Sequence, residues 1–254
     1  MKIRILGSGT SSGVPRIGND WGACDPANPR NRRTRASVLV ETATTRILVD
    51  TGPDMREQLL SANVATFDAV IWTHDHADHT HGIDDLRQVF HALGRPVRGI
   101  ARPRLKSQLI TRFGYLFRGA SDYPQVASIE DLPDTLQIGD ITVRVADQPH
   151  GRTQSAGLRF EGEGGVIGYA TDLSGMTEDM ARLYAGLDVW VVDALRKRPH
   201  PSHPDLATAL GWIERLQHKQ VALTHMDQSM DYDTLRRKLP PRVEPGYDGL
   251  EIMA

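Results

Sequence analysis

His74-Asp75-His76-Ala77-Asp78-His79 stands one residue beyond the apolar run Ala69-Val70-Ile71-Trp72. The run has the length and composition of a buried strand, so the hexapeptide reads as the loop at its end. Ligands delivered from the end of a rigid element keep a fixed geometry. One imidazole pair, His74 and His76, can take one metal ion, and Asp78 with His79 can take a second. A dinuclear hydrolase needs that arrangement, with its ions about 3.5–4 Å apart. The plain alternative is a polar loop with chance histidines. Ligand-type side chains at this spacing, directly after a strand, argue against it.

Three more ligand types end apolar runs elsewhere. His150 follows Val143-Arg144-Val145 by way of Ala146 to Pro149, Asp172 follows Ile167 to Thr171, and His225 follows Val221 to Thr224. Any one of them alone reads equally well as a capped turn or a satisfied histidine. A carboxylate between two cations can bridge them, and Asp172 is the bridging candidate.

Strand-like runs recur at Ile3 to Leu6, Ser37 to Glu41, Arg46 to Val49, Ile141 to Val145, Gly157 to Phe160, Val166 to Tyr169, Val189 to Val192 and Val221 to Leu223. Helical patterns fall at Pro53 to Leu60, Ile83 to Leu93 with Gly94 as its cap, Met176 to Leu187, Asp205 to Gln217 and Tyr232 to Leu239. Strands come first and helices enter between later strands. This order fits two packed sheets with helices outside.

The chain has 254 residues, 39% hydrophobic and 24% charged, with a formal net charge of −2 and a pI near 6.5. A protein built mainly to coat nucleic acid would be basic, so that class is disfavoured. Cys24 is the single cysteine, which excludes an intramolecular disulfide and a thiolate-only zinc site. The N-terminal apolar run is too short for a signal peptide, and no stretch has the length of a membrane span. A cytoplasmic protein without membrane contact is the expectation. From Leu86 to Ser121 there is no acidic residue, but Arg87, Arg95, Arg98, Arg102, Arg104, Lys106, Arg112 and Arg118. Phe113, Tyr115 and Phe117 alternate near its end. The segment reads either as a contact for an anionic substrate or as a solvated face followed by a short strand with buried aromatics.

Together, His74, His76, Asp78, His79, His150, Asp172 and His225 resemble the full ligand set of the metallo-β-lactamase-fold hydrolases, and the resemblance covers almost the whole chain. It implies one domain over residues 1–254, an α/β (α+β) four-layer αββα sandwich with the site at the open edge between the sheets. It also implies two divalent metal ions, zinc or manganese. His74, His76 and His150 would hold one, Asp78, His79 and His225 the other, and Asp172 would bridge. In redox-active diiron relatives a carboxylate replaces the second histidine of the motif. His76 is retained here, which points to hydrolysis. Asp50, after Ile47-Leu48-Val49, matches the family's buried aspartate behind the site, suited to fixing a ligand's tautomer. Its plain reading is a turn residue before Gly52.

Asp193 to His203 follows the strand Val189 to Val192 and resembles the phosphodiesterase branch, which includes tRNase Z and the phosphoribosyl cyclic phosphodiesterase. In that branch a histidine before the next helix faces the scissile phosphate. The resemblance carries that catalytic role to His203, which would protonate the leaving alkoxide, with Asp78 helping to position the nucleophile. The loop Gly7 to Pro15 offers Ser8, Thr10 and Ser11 to phosphate oxygens, and Arg35, Arg196 and His200 complete the candidate substrate contacts. The arginines of Arg30 to Arg35 fit either a phosphate clamp or a solvated surface. The cyclic phosphodiesterase carries an extra structural zinc on a cysteine-rich loop and a late histidine. Only Cys24 and Gln228 stand in those places, so that second zinc site is expected to be absent.

The expected function is dinuclear, metal-dependent hydrolysis of a small cyclic or nucleotide-like phosphodiester by metal-activated hydroxide. An RNA endonuclease of tRNase Z type and a thioester or lactone hydrolase are the alternatives. A noncatalytic binding protein stands furthest off, since a decayed site usually loses a ligand. Nucleic acid is a less favoured partner than a small phosphodiester, and a homodimer is implied by resemblance alone.

Overall fold

The computed structural model describes residues 1–120 and 122–254. Among these, the first half of the chain supplies β1 (Lys2–Gly7), β2 (Ser37–Glu41), β3 (Arg46–Val49), β4 (Ala69–Trp72), β5 (Val97–Ala101) and β6 (Ala127–Asp131). The second half supplies β7 (Thr135–Ile138), β8 (Ile141–His150), β9 (Thr153–Gly162), β10 (Gly165–Ala170), β11 (Val189–Asp193), β12 (Gln220–Thr224) and β13 (Val243–Pro245), and β14 (Glu251–Met253) returns to β1. The sheet orders are β14-β1-β2-β3-β4-β5-β6 and β13-β12-β11-β10-β9-β8-β7. Both are mixed: β3 to β6 and β10 to β13 run parallel, and the remaining pairs antiparallel.

Parallel neighbours need crossovers, and helices supply them. These are α1 (Met55–Ala62), α2 (Ala77–Thr80), α3 (Leu86–Leu93) and α4 (Pro103–Arg118) on the first sheet, then α5 (Glu178–Leu183), α6 (Leu206–Leu216) and α7 (Tyr232–Arg236) on the second. Alternate residues of each strand serve two cores. Val38, Val40, Ile47, Val49 and Ile71 meet Val143, Leu158, Phe160, Ile167 and Val191 between the sheets. Leu39, Leu48, Val70 and Trp72 face the first helix layer, and Trp190, Val192 and Leu223 face the second. Strands buried on both faces read as unbroken apolar runs, which is why β2, β3 and β4 have the bounds expected from the sequence. The result is an α+β sandwich with helices on both outer faces.

The sequence reading did not expect β5, β6, β7, β13, β14 or α4. Strand β5 was not expected because Arg98 and Gly99 interrupt it. A side chain at Gly99 would come within 2.5 Å of the Trp72 ring, so the glycine makes room for that indole. Residues 113, 115 and 117 do not lie on a strand. They belong to the last turns of α4, where Phe117 packs edge-on against Trp72 and Tyr115 donates to Asp84. Ser121, the end of the basic segment, lies outside the described residues. Within the segment, Arg87 pairs with Asp84, Arg98 with Glu130, Arg102 with Asp134 and Asp147, Lys106 with Asp131 and Arg112 with Asp75. Its positive charge is therefore largely neutralised by carboxylates from outside the segment. Among the described residues, no helix is long and apolar enough to cross a membrane.

Candidate metal centre

The carboxyl ends of the parallel strands in both sheets point to one edge of the sandwich, the usual place for a site in α/β folds. From the first sheet come Asp50 after β3 and the His74–His79 loop after β4. From the second come His150 at the end of β8, Asp172 after β10, Asp193 at the end of β11 and His225 after β12. Asp50, Asp172 and His225 all have positive φ, at 66°, 56° and 57°. This left-handed turn costs a non-glycine residue on the order of 1–3 kcal/mol, and surrounding contacts must enforce it. Here it turns each side chain from the strand direction into the shared cleft. The motif loop is set by close glycine packing: a side chain at Gly82 would lie 2.0 Å from the Gly52 carbonyl, and one at Gly52 would lie 2.3 Å from that of Asp78.

His74, His76, His150 and Asp172 converge, as do Asp78, His79 and His225, with ligand-type atoms within 4.8 Å of one another in each group. Asp172 stands between the groups. Its Oδ1 lies 3.6 Å from His74 Nε2 and 3.4 Å from His150 Nε2. Its Oδ2 lies 3.1 Å from His79 Nε2 and 3.5 Å from His225 Nε2. Asp78 Oδ2 is 3.4 Å from His79 Nε2 and 3.6 Å from His225 Nε2. The Nε2 atoms of His74, His79 and His225 are buried and have no hydrogen-bond partner. Buried polar atoms are almost always paired, so three unpartnered ring nitrogens around two carboxylates fit cation ligation by one or two metal ions.

On His79, His74 and His150 the opposite ring nitrogens are tied back, whereas Nδ1 of His225 finds no partner among the described residues. His79 Nδ1 lies 2.7 Å from Asp50 Oδ2, whose partner oxygen accepts from the Thr73 N–H. His74 Nδ1 is 3.0 Å from Thr73 Oγ1, and His150 Nδ1 is 3.0 Å from the Ser202 carbonyl. Such contacts fix ring orientation and leave Nε2 for the cleft. Burial pushes the Asp50 carboxyl up, and burial together with the His79 charge pushes His74 down. Burial would raise Asp172 as well, but the charges of His225, His79 and His74 outweigh it and hold the carboxyl well below its usual range. His225 is driven the other way, to about 9, because Asp172 and Asp78 outweigh its burial.

His203 joins the cleft from the loop before α6. Its Nδ1 lies 2.8 Å from Asp193 Oδ2, its Nε2 lies 3.8 Å from Asp172 Oδ1, and its ring stacks on His225 at 4.8 Å. Asp193 went unassigned in the sequence, although it ends an apolar run just as Asp172 does. His200 lies 5.1 Å from the His203 ring and receives the Ser202 N–H. The other substrate candidates are more engaged. Ser8 is buried and its hydroxyl donates to Asp248, which also takes the N–H and hydroxyl of Thr34. Thr10 sits beside the site through its N–H to Met226, and Ser11 is exposed. Arg35 pairs with Asp54, and Arg196 donates to the carbonyls of Arg198 and Pro199. In the Arg30 to Arg35 loop, Arg30 lies over the Tyr232 and Tyr247 rings, and Arg33 is buried against Cys24 Sγ at 3.6 Å and the Met230 carbonyl.

Residues 45–226 match the family described as Beta-lactamase superfamily domain. A solved structure described as a new diphosphatase from the PhnP family is 32% identical, covers 99% of this chain and 96% of that one, and superposes with a TM-score of 0.90. A Porphyromonas gingivalis protein named octanoyltransferase is 32% identical over 262 residues, matching 100% of this chain and 51% of that protein. Ribonuclease Z of Methanopyrus kandleri is 31% identical over 129 residues, 49% of this chain and 43% of that protein. The chain thus spans about half the length of the curated relatives it matches. Family match, sheet topology and histidine–aspartate cluster agree: the chain belongs to the β-lactamase superfamily, has the metallo-β-lactamase fold with a candidate metal-binding cluster, and is related to the PhnP-family diphosphatase and to ribonuclease Z.

Proposed function

We propose that the protein is a dinuclear phosphodiesterase acting on a small cyclic or nucleotide-like phosphodiester. In this reading His74, His76 and His150 hold one divalent ion, Asp78, His79 and His225 hold a second, and Asp172 is shared. The observation that supports it most is the division of Asp172, one carboxylate oxygen toward each histidine group. Zinc and manganese both suit imidazole and carboxylate donors. Bound there, they supply an acidified water and positive charge against the phosphate. The side chains do the rest. Asp78 accepts a hydrogen bond from the attacking water and orients it. Asp193 accepts the Nδ1–H of His203 and so turns Nε2 toward the cleft. His203 Nε2 then hands its proton to the departing oxygen. Exposed His76 marks the open side, where substrate enters.

The solved structure that is 32% identical over 99% of this chain carries the name diphosphatase, which favours a phosphoanhydride as the second substrate class. The test is steady-state hydrolysis by protein loaded with manganese or zinc. Bis-p-nitrophenyl phosphate and a nucleoside diphosphate are assayed beside a thioester and a β-lactam. Metal-dependent turnover of phosphorus substrates alone is the expected result. Thioester or lactam turnover without any phosphodiester turnover refutes the substrate class.

A further inference from the structure

Asp172 is gripped by groups that are not themselves candidate ligands. Its N–H donates to Asp193 Oδ2 at 3.1 Å, its carbonyl accepts from Ser155 Oγ at 2.7 Å, and its Oδ2 accepts from Thr171 Oγ1 at 2.7 Å. Behind these stands a second tier. Gln148, fully buried on β8, donates through Nε2 to Ser155 Oγ and to the Thr171 carbonyl, both at 2.9 Å. Its Oε1 lies 2.7 Å from the hydroxyl of Tyr184, which is fully buried where α5 ends. Thr171 O can only accept, so the amide orientation of Gln148 is dictated by its neighbours. Every polar atom of the Gln148 amide is paired, and neither Gln148 nor Tyr184 touches the cleft. Gly157 completes the arrangement. A side chain there would come within 2.2 Å of Tyr184 Oη and 2.8 Å of Gln148 Oε1, although its φ is not in the left-handed region.

We propose that Gln148 and Tyr184 are positioning residues that hold the peptide units of residues 171 and 172 in the left-handed turn that aims one Asp172 oxygen at each histidine group. This rests on the reading of Asp172 as a shared ligand. A neutral, satisfied network is well suited to the task, because it keeps its geometry as the charges in the cleft change. The network joins β8, β9, the end of β10 and α5, so one region of the second sheet's outer face backs one carboxylate.

The test compares wild-type protein with Gln148→Leu, Tyr184→Phe and Gly157→Ala, each titrated with manganese. Metal stoichiometry and affinity, the electron paramagnetic resonance signature of exchange coupling between the two ions, and kcat and KM are read below each protein's Tm. For Gln148→Leu, metal affinity falls roughly 10–100-fold, the scale of outer-shell substitutions. Exchange coupling weakens and kcat drops with KM little changed. Tyr184→Phe moves the same readouts less, and Gly157→Ala moves them with every polar group retained. Should Gln148→Leu not fold, Tyr184→Phe, which lacks one oxygen only, carries the comparison. Variants that melt earlier yet keep wild-type stoichiometry, coupling and kcat overturn the proposal and reduce the network to packing. If the wild-type protein binds one ion, or two without coupling, the shared-ligand reading and this proposal fall together.

Discussion

His203→Ala separates proton donation from metal ligation. The ring is anchored by Asp193 at 2.8 Å, and its Nε2 stands 3.8 Å from the nearer Asp172 oxygen. As a donor it matters only when the departing oxygen needs a proton. A general acid contributes about 10²–10⁴-fold, or about 3–5 kcal/mol of barrier. An alkyl phosphodiester, whose alkoxide is a poor leaving group, should lose about that much in kcat. A p-nitrophenyl ester, which departs as a stable anion, should lose less than about tenfold. The assay is kcat for both ester types in wild-type and variant protein, with metal content by elemental analysis. Asp193→Asn should show the same leaving-group pattern more weakly, since an amide can turn its N–H toward His203 and reverse the ring. Equal losses on both esters, or loss of metal, would refute the assignment. The latter outcome has a concrete alternative, because His203, Asp172 and His225 also form a triplet of ligand-type atoms.

Asp50→Asn should lower metal affinity about 10–100-fold while leaving the fold intact, since Asp50 Oδ2 holds His79 from behind; calorimetric titration of metal checks it. His218 is buried against Trp190 with both ring nitrogens unpaired, and burial, with Arg242 and Arg159 nearby, pushes it down to about 4. The unfolded chain therefore binds the extra proton first. The corresponding stability is fully present above about pH 6.5 and is lost as pH falls toward 4, about 3 kcal/mol in all. Urea melts of His218→Leu at pH 7 and pH 5 should show a flatter dependence, and an unchanged slope would count against it. Gly99→Ala should destabilise by about 1–3 kcal/mol through its clash with Trp72, read as a lower Tm, with metal stoichiometry unchanged.

The sequence showed most where chemistry and periodicity coincide. The histidine motif, Asp50, His150, Asp172 and His225 each follow an apolar run, so type and place were visible together. Asp193 met the same criterion, yet its partner is a histidine in the following loop, and that pairing exists only in space. The hydroxyls of the glycine-rich loop looked available for phosphate, but the acceptor that takes Ser8 lies at Asp248, near the other end of the chain. Gln148, Tyr184 and Gly157 carry no chemical signature at all. Their relation depends on β8, β9 and α5 meeting, which no local pattern encodes. Helix α4 was obscured because its terminal aromatics alternate by chance while Leu105, Leu109 and Leu116 keep helical spacing.

The cleft draws its donors from both sheets: His74, His76, Asp78 and His79 from one, His150, Asp172 and His225 from the other. Neither half of the chain holds a complete set. Cations held there as proposed would act as rivets across the sandwich, joining residues 74 and 225 through a closed loop of chain that spans most of the protein. Metal binding would then be linked to sheet docking, and the free energy of binding to the folded chain would add to its stability.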